Sequence, residues 1–188
     1  MNLKKYYLLF IALVFVSLNG FSQENQDTTG SFIAKNGSVY WSHKFKKSLS
    51  FQNLLNSVKL SNNLTGIDTF KNTIIGQSIE SFMDYRGAGY TTMTTPIFLS
   101  TSSYKSSVVI ENNDSFYVVT INKIIFINQN DTKQISAVFG SAQGETSPLE
   151  DYAIKKTGKF RSNFSKPSGK IIDYTFTKLY DFWQVKVY

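Results

Sequence analysis

The chain has 188 residues, with 20 Lys+Arg against 13 Asp+Glu, one His and no Cys. That is the length of one ordinary domain, and a hydrophobic share of 41% with 15% aromatics is enough to build a packed core. The lack of Cys excludes a disulfide scaffold, a thiol nucleophile, a Cys-ligated metal and a lipid anchor on an amino-terminal Cys.

Residues 1–22 read as a secretory signal peptide. Lys4 and Lys5 supply the positive start, Leu8 to Leu18 is an apolar run broken only by Ser17, and Gly20 and Ser22 stand at the cleavage spacing. The run falls short of the roughly 20 residues that span a bilayer, so no transmembrane segment is expected after cleavage and the mature chain starts at Gln23. Export places the protein in the periplasm, the outer envelope or the medium. Losing Lys4 and Lys5 takes 20 basic residues to 18 against 13 acidic, a net +5.

Residues 23–37 form a flexible lead-in or a short edge hairpin. The polar stretch 23–31 has no apolar anchor, but Asn36-Gly37 is a good two-residue turn that would fold Phe32–Lys35 back as an edge strand. Residues 38–188 form a single α+β domain. From Val39 the pattern alternates, with Val39, Trp41, His43 and Phe45 on one face. Ser48 or Ser50 then caps an amphipathic helix carrying Phe51, Leu54, Leu55 and Val58, closed by Asn62-Asn63 and Gly66. Thr73 to Tyr85 suits either period, and its β-branched pair before Gly76 favours a strand.

Arg86–Pro96 reads as an exposed connection. Ile97–Glu111 and Ser115–Asn128 follow as the two strongest strands. A turn at Asn113-Asp114 would pair Ile110 with Tyr117 and Val108 with Val119, burying that face under helices. The other face, with Ser103, Lys105, Ser107, Val109, Phe116, Val118, Thr120 and Asn122, is half polar and suits a sheet open to water. After a polar connection over 129–147, Ser147 is the expected N-cap of a helix with Pro148 at its first position, Glu150 and Asp151 in its first turn and Lys155, Lys156 and Lys159 at its end. The last element reads as a helix with Ile172, Phe176, Leu179 and Trp183 on one side. A second apolar stripe, including Ile171, Tyr174, Phe182 and Val185, lies elsewhere on it. Tyr174, Phe182 and Val185 are therefore the expected interaction surface for a partner or a second copy of the chain.

The order of elements resembles a bacterial exported domain of unknown function with a TATA-box-binding-protein-like fold. The residues that carry the likeness are Val39–Val58, Ile74-Ile75-Gly76, Ser107–Ile127, the Ser147-Pro148-Leu149-Glu150-Asp151 helix start and the closing aromatic-rich helix. The resemblance implies an antiparallel sheet of about four to five strands in β-α-β-β-β-α order, with helices packed on one face. It implies no activity.

Catalytic signals are sparse. His43 stands alone, which leaves no zinc or iron site. Ser102-Ser103-Tyr104-Lys105 and Lys156-Thr157-Gly158 match two penicillin-binding signatures, but the first lies in a strand and the second ends a helix, where the chemistry needs the reverse. Gly87-Ala88-Gly89 lacks the third Gly of a dinucleotide fingerprint. Glu80 and Asp84, four apart in a strand, would lie about 13 Å apart, beyond the ~6.5–9.5 Å of an inverting glycosidase. No cofactor is expected.

Lys155, Lys156, Lys159, Arg161, Lys166 and Lys170 form the densest basic stretch and meet no carboxylate within it. They read as a solvated helix end and loop, or as a patch drawn to an anionic surface; an exported chain without groove-entering elements is not expected to bind nucleic acid. The leading expectation is a non-catalytic binding module for a protein or envelope component. It rests on the missing constellations and on the 11 Tyr and 16 Phe. The alternative is a small envelope hydrolase whose carboxylate or Ser residues meet only in the fold.

Overall fold

The computed structural model describes residues 26–113, 115–130 and 143–182. Nine strands make a single antiparallel sheet: β1 (Gln26–Thr29), β2 (Phe32–Lys35), β3 (Ser38–Phe45), β4 (Leu64–Phe70), β5 (Thr73–Ser78), β6 (Ser81–Phe82), β7 (Ser102–Asn113), β8 (Phe116–Asn128) and β9 (Thr146–Pro148). Seven run in the order β1-β2-β3-β8-β7-β5-β4, while β6 pairs with β7 and β9 with β8. Four helices join them: α1 (Phe51–Ser61), α2 (Ile97–Thr101), α3 (Leu149–Ala153) and α4 (Ser168–Leu179). This is an α+β fold with more strands than the four to five expected.

The extra strands are β1, β4, β6 and β9. They are short or polar and bury little; in β4 only Leu64 is buried. Backbone pairing to a neighbour holds them, and this leaves no apolar alternation to read. The stretch 26–29, expected as flexible, pairs with β2 through Gln26–Lys35 and Thr29–Phe32. The Asn36-Gly37 turn forms as expected: both residues have positive φ, 52° and 77°, the twist that a two-residue hairpin needs.

All four described helices feed one core. Leu54 and Val58 of α1, Leu99 of α2, Leu149 and Ala153 of α3 and Ile171, Ile172 and Phe176 of α4 are buried with Val39, Trp41, Val108, Ile110, Tyr117, Val119 and Ile121 of the sheet. The face predicted to be buried in the β7–β8 hairpin is buried. Its register differs: Ile110 pairs with Val119, Val108 with Ile121 and Asn112 with Tyr117. The offset is two residues, and an even shift preserves which side chains face the core.

A bulge then changes that phase. Between Lys105–Ile125 and Ser107–Asn122, β8 places two residues, Lys123 and Ile124, against Ser106 alone. Lys123 takes a positive φ of 49°, and the buried positions of β8 switch from Tyr117, Val119 and Ile121 to Ile124 and Phe126. The extra residue turns the far end of a 13-residue strand back onto the core.

Three helical readings need correction. Residues 97–101, expected to be strand, form α2. The helix expected after Ser147 starts one residue later: Ser147 belongs to β9, Pro148 is the N-cap, and α3 ends at Ala153. Lys155, Lys156 and Lys159 therefore complement no helix end. They lie on a hairpin turn in which Ile154 bridges Phe160, with the Lys155 N–H donating to the Lys159 carbonyl. The closing helix ends at Leu179, so a helical projection does not place Phe182.

Candidate functional site

Phe182 is buried, contrary to the expectation that it faces a partner. Beyond α4 the chain turns at Tyr180, and the Phe182 ring sits 6.0 Å from those of both Tyr117 and Tyr180. The Tyr117 hydroxyl fixes this turn, donating to the Tyr180 carbonyl and accepting from the Phe182 N–H, each at 3.0 Å. Desolvation raises the pKa of Tyr117, so the phenol keeps its proton. Of the other two residues of that expected surface, Tyr174 is exposed on α4 and Val185 lies outside the described residues.

The six basic residues are all exposed. The structure brings Arg161 and Lys166 to one cleft, lined also by Phe98, Tyr152 and Asn163. Lys170 lies apart, on clefts shared with Asp173. Lys155, Lys156 and Lys159 occupy the 154–160 turn.

The sheet face opposite the helices is lined by side chains from four central strands. One row runs Ser42–Thr120–Val109–Ile75 across β3, β8, β7 and β5, and the next runs Lys44–Val118–Glu111–Thr73. These residues are half-buried or exposed, whereas the apolar residues that the described helices bury belong to the core on the other side of the sheet. Lys44 Nζ lies 3.5 Å from the centre of the Phe116 ring, holding its charge at the margin of this surface. Ser107, Val109, Phe116, Val118, Thr120 and Asn122 stand where the alternation placed them. Ile75 and Lys44 join from neighbouring strands whose pairing no sequence spacing could reveal.

At one end of this face Glu80, Ser103, Lys105 and Gln129 meet. The Ser103 hydroxyl donates to Glu80 Oε1 at 2.6 Å, Gln129 Nε2 donates to the same oxygen at 2.9 Å, and Lys105 Nζ lies 3.2 Å from Oε2. The hydrogen bonds from Ser103 and Lys105 hold the Glu80 carboxyl below the usual glutamate value. A serine nucleophile needs a neighbour that takes its proton readily near neutral pH. A carboxylate made more acidic takes that proton less readily, and the hydrogen bonds that make it so tie β7 to the segments beside it. Asp84 serves another neighbourhood, pairing with Lys178 at 2.9 Å and accepting from the Gly87 N–H at 2.8 Å. The two carboxylates do not converge.

His43 is half-buried between the rings of Trp41, stacked at 5.7 Å, and Phe45 at 4.6 Å. Among the described residues no group of three or more His, Asp and Glu could hold a metal ion, and no helix is long and apolar enough to cross a membrane.

The chain matches no family model and no curated protein. Two solved structures are similar to it. One is a TBP-like protein from Parabacteroides distasonis, 16% identical, with a TM-score of 0.46 over 80% of this chain and 95% of that one. The other is a DUF4468 family protein from Bacteroides ovatus, 13% identical, with a TM-score of 0.45 over 81% of this chain and 92% of that one.

Proposed function

We propose that this protein is an exported, non-catalytic binding module of the cell envelope that holds a protein or envelope component against the sheet face opposite its described helices. The supporting observation is the pair of side-chain rows across β3, β8, β7 and β5, which mix Val109, Val118 and Ile75 with Ser42, Thr120 and Thr73 and carry charge at Lys44 and Glu111. Apolar residues interspersed with hydrogen-bonding groups and rimmed by charge are what a wet, reversible interface uses. The Glu80–Ser103 arrangement supports a binding role over hydrolysis, because its acid is a poor base.

The test compares partners recovered from the envelope fraction by the parent protein and by Thr120→Arg and Val109→Asp, each checked for an unchanged circular dichroism spectrum. Loss of a partner from both variants, with retention by Lys59→Glu on α1, supports this face. Equal recovery by all four proteins overturns it.

A further inference from the structure

On the helix-bearing side of the sheet, a cleft of about 320 Å³ opens between the start of α2, α3 and the 161–168 segment. Its volume falls within the range of small-molecule sites, roughly 300–1,000 Å³. Part of its lining is aromatic. The rings of Phe98 and Tyr152 stack in parallel, 3.9 Å apart, and Phe98 meets buried Phe126 edge-on at 5.1 Å, so the core fixes this wall.

Two cations, Arg161 and Lys166, share the rest of the lining with Asp151, Asn163, Ser168 and two prolines. Arg161 Nε donates to the Ile154 carbonyl at 3.1 Å and Nη2 to the Asp151 carbonyl at 3.2 Å, while its own N–H donates to Ala153 at 2.8 Å. Backbone carbonyls thus orient the guanidinium without neutralising it, and leave donors over. Lys166 lines the same cleft. Among the described residues neither forms an ion pair; the described pairs are Lys47–Asp181, Lys105–Glu80 and Lys178–Asp84. Asp151 is the carboxylate in the lining, and it bridges to neither cation.

We infer that this cleft binds an organic oxyanion, a carboxylate or phosphate carried on a ring. The planar guanidinium fork matches both oxyanions, Lys166 adds a second charge, and the stacked Phe98–Tyr152 pair has an outer ring face or edge for a ligand ring to pack against. Lys155, Lys156 and Lys159 do not line the cleft and take no part. Two sources fit this chemistry, an aryl or sugar phosphate and an acidic sugar.

The test titrates phenyl phosphate and glucuronate separately into the natively processed protein, following backbone amide shifts. At least one should saturate with a Kd near or below about 1 mM, moving the amides of Tyr152, Arg161 and Asn163. Saturation by phenyl phosphate alone identifies a phosphate-bearing ligand, and by glucuronate alone an acidic sugar; both support the site. R161Q should weaken binding about tenfold, the scale of one lost charge-assisted hydrogen bond. K166A should weaken it as well, and reads the cationic wall if R161Q does not fold. K156A should bind like the parent. Failure of both ligands to bind, parent-like binding by folded R161Q and K166A, or equal binding of inorganic phosphate overturns the inference. None of these measurements involves the sheet face opposite the described helices, so their failure leaves that reading standing.

Discussion

Tyr117 concentrates two jobs in one side chain. Its ring stacks on Phe45 at 4.8 Å, and its hydroxyl satisfies two buried backbone groups where the chain leaves α4. Tyr117→Phe keeps the ring and removes both of these bonds, leaving the two backbone groups only their mutual 3.1 Å bond, Phe182 N–H to the Tyr180 carbonyl, so chemical denaturation should show a loss of about 1–3 kcal/mol. Val119 is fully buried; Val119→Asp strands a carboxylate in the core and should abolish cooperative unfolding, while Ile110→Ala should cost about 2–5 kcal/mol. Glu80 acts through ionisation. Because its folded pKa lies below the ordinary value of 4.5, the stability it contributes is present above that value and is lost as pH falls through the lower folded one. Solvent at this exposed site keeps the effect small. Glu80→Gln should lower stability slightly at neutral pH and match the parent once pH falls below the folded pKa, so that its acid limb is flatter by that same small amount, as read by thermal melts from neutral to acid pH.

At the scale of elements, long strands and helix faces were legible because burial writes a period into them. Val39, Trp41 and Phe45 alternate, Leu54 and Val58 recur four apart, and Val108, Ile110, Val119 and Ile121 all face the core. What stayed hidden was whatever backbone geometry decides without an apolar trace. Leu64–Phe70 carries one buried residue and is held by its pairing to β5. The bulge at Lys123 spends one residue to rephase β8, and a Lys in a polar-apolar alternation gives no sign of positive φ. That position tests the reading. Lys123→Gly should be neutral or stabilising by up to about 1 kcal/mol, since Gly takes the left-handed conformation without a steric penalty. Lys123→Val should destabilise, because a β-branched residue resists that φ. Deleting Lys123 should be far worse, turning Ile124 and Phe126 away from the core.

For the whole molecule, the asymmetry of the sheet is the feature on which the proposed function rests. The half-polar character of one hairpin face was readable, and the structure extends it across four strands. The expected surface at Phe182 failed because it assumed a helix reaching Val185, whereas the helix ends at Leu179 and Phe182 packs inward. The proposed export is tested by mass spectrometry of the native protein: an amino terminus at or near Gln23 is expected, and an intact Met1 contradicts export through residues 1–22. The most direct measurement of the central claim is site-specific photocrosslinking in the native cell, with the reactive side chain placed at Thr120 on the sheet face opposite the described helices or at Leu60, exposed on α1. The account expects a discrete crosslinked partner from Thr120 and none from Leu60; crosslinks from Leu60 with none from Thr120 would contradict it.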